Sequence, residues 1–317
     1  MFNSIKMKKL ILIIVTAFIA NYTFGQEEAI YSHVFVNPAL INPATVGADR
    51  DHHNVFMNVR SAFTSFPETP KTYSLSYNGA VGKQVGLGAM LFSENVADIT
   101  QFRVQMAYSM GFQVEDLALR AGLSLEYQRM DVNNATITGD FYETGDEVIE
   151  RAMEGEEIFD TSLGLHGTYK GIFHFGYTAP NLIRTVLDDI EGLDQGGNFK
   201  YYIFHAGADF ALNDYKIKLQ PSVIFKRVRN VDPHVNINLI ASFLKEQLIT
   251  GLTVRSGTGS TLGFVLGTKY NTVRFIYSYD VYMDDFQQYN GGSHEITVGF
   301  AFNRGNGKFD RSKKYRK

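Results

Sequence analysis

Segments of about ten residues in which apolar and polar side chains alternate constrain this sequence more than any other feature. The clearest lies between Thr100 and Val114, where every second position is apolar or aromatic: Phe102, Val104, Met106, Tyr108, Met110 and Phe112. The intervening positions are small or polar. Because successive side chains of a β-strand point to opposite faces, this pattern predicts a strand with one apolar and one polar face.

The connections between these segments decide between the possible all-β architectures. We place fourteen candidate strands, near 52–62, 71–81, 84–93, 100–114, 117–129, 159–169, 172–179, 201–212, 215–226, 234–244, 247–255, 260–269, 273–281 and 293–302. Six connections are predicted to be two-residue turns, and they alternate along the chain with seven that are mostly longer. Short turns at one rim and long loops at the other are typical of an outer-membrane barrel. The sequence therefore predicts an all-β fold, a transmembrane antiparallel β-barrel of about 14 strands.

The first residues have the features of an export signal. Lys6, Lys8 and Lys9 precede an apolar run from Leu10 to Ala20, and small residues then predict cleavage before Gln26. The run is shorter than the roughly 20 residues that a membrane-spanning helix needs. We therefore expect residues 1–25 to be a signal peptide that directs the chain to the outer membrane.

Residues 26–50 precede the first strand and contain the sequence Asn37-Pro38-Ala39-Leu40-Ile41-Asn42-Pro43-Ala44. The two prolines remove backbone donors and argue against a regular helix or a central strand. The segment is either an extended tether or a plug folded inside the lumen, which a barrel of this size has room to hold. We expect the barrel to cover 51–303 and a basic periplasmic tail to follow at 304–317. The tail has two interpretations. It contacts a periplasmic partner or anionic lipid headgroups, or it is a disordered tail that keeps the chain soluble.

Polar clusters in the sequence offer weak candidates for metal binding. The acidic segment 139–160 has oxygen ligands that suit calcium, but its spacing does not match an EF-hand loop, and a solvated acidic loop is the simpler interpretation. Four histidines, at 166, 174, 205 and 234, fall on the predicted inner face, where ordinary lumen polarity accounts for them without a metal. We predict no metal site and no cofactor.

Charge and motif content exclude several functional classes. The chain has 30 basic and 33 acidic residues, so it lacks the basic excess expected of a nucleic-acid-binding protein. It has no cysteine, which excludes a disulfide framework and a cysteine nucleophile. It also lacks the Gly-x-Ser-x-Gly, phosphate-loop and His-Glu-x-x-His motifs. We therefore predict no catalytic residues and no enzymatic activity.

Several blocks of the sequence together resemble the PorP/SprF family of outer-membrane proteins of the type IX secretion system of Bacteroidota. They run from Tyr31 to Gly47, over Val85-Gly86-Leu87-Gly88, from Gly251 to Gly257, over Tyr277-Ser278-Tyr279-Asp280, and from Tyr289 to Ile296. The sequence departs from the family pattern at 48–53, which is unusually charged, and after Arg60, where Phe63 rather than tryptophan follows. The resemblance implies partner-binding or structural motif residues at Asn37, Pro38, Asn42, Pro43, Ala44, Gly47, Arg255, Asp280, Tyr289, Asn290, Ser293, His294 and Glu295.

The resemblance also implies a non-enzymatic role in protein secretion and gliding motility. Its implied partners are outer-membrane lipid, a secreted protein with a C-terminal sorting domain, and periplasmic and outer-membrane secretion components. From the loop lengths, we expect loops 130–158 and 180–200 to hold the secreted protein at the cell surface. One alternative is a FadL-like or porin-like channel in which 26–50 gates the passage of a small solute. Another is a soluble periplasmic β-protein.

Overall fold

The computed structural model describes residues 31–65, 69–97, 99–132, 156–184, 200–212, 216–228, 233–257, 259–283 and 290–304. The strands are β1 (His52–Ser61), β2 (Lys71–Ala80), β3 (Val85–Val96), β4 (Ile99–Val114), β5 (Leu117–Val132), β6 (Glu156–Tyr169), β7 (Phe173–Ala179), β8 (Tyr202–Ala208, continued by Phe210–Leu212), β9 (Ile217–Arg227), β10 (His234–Phe243), β11 (Leu248–Ser256), β12 (Thr261–Tyr270), β13 (Val273–Tyr282) and β14 (Ser293–Asn303). Among the described residues, no helix is long and apolar enough to cross a membrane.

Each strand pairs antiparallel with its neighbours in the chain, and the last strand pairs with the first. The closing register runs from His52 opposite Asn303 to Ser61 opposite His294. Asp209 interrupts β8, but both of its parts pair with β9, so they form one strand of the barrel. The predicted closed barrel of 14 antiparallel strands is confirmed, and closure leaves no strand edge unpaired within the hydrocarbon.

The connections follow the predicted alternation except between β3 and β4, where strand pairing continues to Val96 opposite Ile99 and only residues 97–98 remain as a turn on the rim predicted to carry long loops. On the rim predicted to carry short turns, the connections at Glu115-Asp116 and Asn271-Thr272 contain two residues, and the other four contain three or four. Strand pairing stops earlier there because several residues adopt left-handed backbone conformations, as at Leu244, Lys245 and Glu246. We call this edge of the barrel the short-turn rim and the opposite edge the long-loop rim.

The two faces of the strands differ in the way that the alternation predicts. Outward side chains such as Leu125 and Leu266 are exposed, whereas the inward serines Ser109 and Ser124 are buried. The lumen is nevertheless less polar than we expected, because large apolar side chains also point inward and are buried. They are Phe92, Ile203, Ile224, Ile240, Ile249 and Ile276. These side chains pack against apolar residues that precede the first strand, which explains why they need no contact with lipid.

The described residues before the first strand, 31–51, form neither an α-helix nor a strand, as the prolines of 37–44 predict. Three short 3-10 helices, His33–Phe35, Pro38–Leu40 and Pro43–Thr45, follow one another within residues 31–48. We call residues 31–48 the N-terminal segment. The Asn42 side chain accepts a hydrogen bond from the backbone N–H of Ala44 at 2.9 Å and thereby caps the third helix.

Candidate functional site

The contact between the N-terminal segment and the inner face of the barrel brings most of the predicted motif residues together. At one end, the backbone N–H of Ser32 donates to Glu295 of β14 at 2.8 Å. Further along, the Asn42 amide donates to the carbonyl of Leu165 in β6 at 2.9 Å. These two strands lie six positions apart around the closed ring in one direction and eight in the other. The segment therefore contacts nearly opposite walls of the barrel.

Four buried charged side chains form what we call the charge cluster: Arg60, Arg255, Asp280 and Glu295. Arg60 lies 3.0 Å from Asp280 and 3.0 Å from Glu295, and Arg255 lies 3.8 Å from Asp280. The cluster has two positive and two negative groups, so its formal charge is zero. Burying charges is costly unless each is paired, and the pairing here meets that condition.

The charge cluster binds the first described residues of the N-terminal segment. The Ser32 hydroxyl accepts hydrogen bonds from Arg60 and Arg255, both at 3.0 Å, and donates to Asp280 at 3.0 Å. Glu295 accepts the backbone N–H groups of Ser32 and His33. Burial lowers the pKa of His33, and the opposing influence of Glu295 does not reverse that shift. The charge cluster thus binds backbone and hydroxyl groups of the N-terminal segment.

A second anchor holds the turn that begins at Asn42. Arg120 of β5 donates to the carbonyl of Ala44 at 3.0 Å and to that of Val46 at 2.8 Å. The Ser109 hydroxyl of β4 donates to the same Val46 carbonyl. Ala44 and Asn42 have no exposed surface, so this turn is fully enclosed by the wall. Arg120 therefore supplies the donors that these buried carbonyls require.

Inward glycines allow the backbone of the segment to approach the wall this closely. A Cβ atom added at Gly122 would collide with the backbone of Ala44, and one at Gly86 would collide with the Val46 carbonyl. Gly47 has φ +65°, a left-handed conformation that favours glycine. The fit at these positions is between two backbones, so a side chain there cannot be accommodated by rotating a neighbour.

The structure divides the predicted motif residues into inward and outward groups. Arg255, Asp280 and Glu295 meet in the charge cluster, and Asn42, Pro43 and Ala44 meet at the Arg120 anchor. Asn37 donates to Ser76 at 2.8 Å, Pro38 begins the second 3-10 helix, and Ser293 is fully buried.

Other motif residues lie away from these contacts. The His294 ring bonds Tyr277 at 2.8 Å, on the side of the wall opposite Glu295, and Asn290 accepts from the backbone of Gly292 at 2.9 Å. Tyr289 lies outside the described residues. So do the predicted signal peptide, the tail after 304, nearly all of the acidic segment 139–160 and most of loops 130–158 and 180–200.

The residues of the site that were not predicted as site residues include Ser32, His33, Arg60, Ser109 and Arg120. Arg60 and Arg120 could have been found, because each is a charged residue at an inward position within an alternating strand, where an unpaired charge is costly. The contacts of Ser32 and His33 carry no such local signal.

A separate ion-pair group lies at the short-turn rim. Glu246, in the turn between β10 and β11, lies 2.8 Å from Lys269 and 2.9 Å from Arg274. Partial burial acts to raise the pKa of Glu246, but Arg274 and Lys269 outweigh it, and the net pKa lies below its usual value. This group ties the turn to the adjacent hairpin.

Comparison with known proteins identifies both a family and a fold. A family model described as "Type IX secretion system membrane protein PorP/SprF" matches residues 23–300. No curated protein matches the chain.

Similar solved structures include the CymD monoaromatic hydrocarbon channel, with TM-score 0.52, 13% identity and coverage of 88% of this chain and 94% of that one. The Acinetobacter baumannii outer membrane protein Omp33 has TM-score 0.47 and 8% identity, with 80% and 98% covered. A Pseudomonas aeruginosa FadL homologue has TM-score 0.47 and 9% identity, with 83% and 92% covered. At these identities, the likeness to CymD shows a shared barrel fold and nothing about ligands.

Proposed function

Because the chain belongs to the PorP/SprF family of type IX secretion system membrane proteins, we propose that it is a non-enzymatic outer-membrane receptor or anchor. Its ligand would be a secreted surface protein with a C-terminal sorting domain. Periplasmic and outer-membrane secretion components would be its other partners. The family and the barrel fold support a location in the outer membrane. Binding of a secreted protein goes beyond what they support.

The observation that carries the receptor role is the contact of the N-terminal segment with opposite walls of the lumen. Ser32 is held at β14 and Asn42 at β6, and the residues between them pack on inward apolar side chains. A segment fixed in this way would act as a plug if it stays docked, because it runs from one wall of the lumen to the other. A plugged barrel is suited to presenting its rims to protein partners.

The rims provide two surfaces for such partners. In outer-membrane barrels short turns face the periplasm and long loops face the exterior. Loops 130–158 and 180–200 would then hold the secreted protein at the cell surface. The basic tail would face periplasmic components, since Arg304 donates to the Gly82 carbonyl at 2.7 Å at the short-turn rim.

Deletion of a surface loop tests the receptor role in cells. We expect removal of 139–155, which stops before β6, to release the secreted partner into the medium, while the barrel still assembles and shows heat-modifiable gel mobility. A deletion of similar length within 185–199 separates the contributions of the two long loops. Retention of the partner on the surface in both variants would overturn the assignment of the loops. Affinity purification from the native outer membrane would identify the bound protein.

A FadL-like or porin-like channel is the second candidate. Cavities of about 270 Å³ and about 190 Å³ adjoin Phe35 of the N-terminal segment and reach the short-turn rim at Gly171 and Glu246. Displacement of the segment would join such spaces into a path. Solute uptake or conductance in proteoliposomes discriminates the two roles: a robust open pore favours the channel, and a silent barrel that co-purifies with a large secreted protein favours the receptor.

A further inference from the structure

Two histidines on non-adjacent strands approach each other inside the barrel, at a distance from the charge cluster. His166 of β6 and His205 of β8 both stand opposite Gly176 of the intervening strand β7. A Cβ atom at Gly176 would collide with the His205 ring, so the glycine provides the space in which the two rings meet. The Nδ1 atom of His166 lies 3.3 Å from the Nε2 atom of His205.

A separation of 3.3 Å is that of a long hydrogen bond, just beyond the usual range of about 2.7–3.2 Å for N–H···O bonds, and it is equally the separation that a shared metal ion would set. Two imidazole nitrogens, each about 2.0–2.1 Å from a tetrahedral ion, stand about 3.3–3.4 Å apart. The two rings are inclined by 29°, with centroids 5.5 Å apart.

The surroundings of the pair also fit metal binding. The other nitrogen of His166 lies 3.3 Å from the Thr168 hydroxyl, which can accept its N–H and fix the tautomer. The pair lines the cavity of about 270 Å³, which has room for water ligands. No three histidine, cysteine or carboxylate side chains of the described ranges converge, so water must complete the coordination.

We propose that His166 and His205 bind one divalent transition-metal ion of the kind that prefers imidazole, such as Zn²⁺, Ni²⁺ or Cu²⁺. The bound ion would bridge β6 and β8 across β7, next to the N-terminal segment. Asp209, in the same cavity, is paired with Lys218 at 3.2 Å and accepts from Gln220 at 2.9 Å, so it is not assigned as a ligand. This site is independent of the receptor role.

Titration of the full, untagged exported chain with Ni²⁺ after chelator treatment tests the site. By isothermal titration calorimetry we expect one ion per barrel, and at least about a tenfold loss of affinity in His166→Gln and in His205→Gln. His294→Gln, which changes a histidine on the other side of the wall, is the matched control and should bind as the unmodified chain does. Thr168→Val keeps both ligands and should weaken binding by about 10- to 100-fold.

Cu²⁺ electron paramagnetic resonance supplies a second readout that does not depend on the stability of the variants. We expect a spectrum with two nitrogen ligands in the unmodified chain. Three results would each overturn the proposal: no stoichiometric ion in the unmodified chain, an affinity in His166→Gln and in His205→Gln as high as that of the unmodified chain, or a spectrum without nitrogen coupling.

Discussion

Replacing Glu295 with glutamine tests whether the charge cluster holds the N-terminal segment in the lumen. Glu295 is fully buried, lies 3.0 Å from Arg60, and accepts backbone N–H groups of Ser32 and His33. Glutamine keeps the shape and one acceptor oxygen but removes the negative charge. The cluster would then contain two arginines and only Asp280, which leaves one buried positive charge uncompensated.

The structure sets the size of the expected effect. Removing one partner of a buried ion pair typically costs about 3–5 kcal/mol, because the remaining charge stays in a poorly solvated site. At about 1.4 kcal/mol per factor of ten, the ratio of docked to undocked segment should fall by roughly two to four orders of magnitude. The barrel wall itself loses no strand pairing, since the Glu295 backbone pairs are unchanged. The loss should therefore concern docking of the segment more than the barrel.

Single-channel recording in planar bilayers and limited proteolysis report the docked state. We expect Glu295→Gln to show frequent open events and faster cleavage within 31–48, whereas the unmodified chain stays closed and protected. The double variant Arg60→Met/Glu295→Gln restores neutrality, because Arg255 and Asp280 still balance. It should recover much of the closed behaviour, and the double-mutant cycle gives the coupling between the pair.

Two results would refute this reasoning. If Glu295→Gln has the conductance and protease resistance of the unmodified chain, the charge cluster does not control docking. If the double variant is worse than Glu295→Gln by the full cost of Arg60→Met alone, the two residues are not coupled.

Three further perturbations have distinct readouts. Gly122→Val should displace the segment and open the barrel in bilayer recordings, because its side chain meets backbone; Ala121→Val places the same side chain on the outer face and should stay closed. Asn42→Ala removes a helix cap and should speed proteolysis of the segment, at a cost of about 0.5–2 kcal/mol, and wild-type cleavage rates would contradict the cap. Because the pKa of Glu246 is lowered in the folded chain, its pairing stabilises the fold above about pH 4.5 and this contribution is lost as the pH falls. Glu246→Gln should lower the thermal midpoint at pH 7, and this difference should shrink as the pH falls below 4.5; a pH-independent difference would argue against the ion pairs.

Several features could be predicted from sequence because they depend on local pattern. The alternation at 100–114 fixes which side chains face lipid, and Phe102 and Phe112 are exposed as it requires. The prolines of 37–44 exclude regular structure wherever that segment lies. The predicted lengths of the turns were less accurate, because residues with left-handed backbone conformations, such as Lys245, end the strand pairing early.

The sequence by itself determined that this chain closes into a β-barrel, because strand parity must separate a lipid-facing surface from an inner one over every span. Only the tertiary structure decided what the inner surface touches. Ser32 and Glu295 are 263 positions apart, and they meet because β14 returns to β1 when the ring closes. Inward residues such as Ile240 and Ile276 depart from the polar pattern of the lumen, and they pack against Phe35 and Val36 of the N-terminal segment. Local periodicity indicates which face of the sheet a side chain occupies. The residue that the side chain contacts on that face depends on closure of the whole barrel.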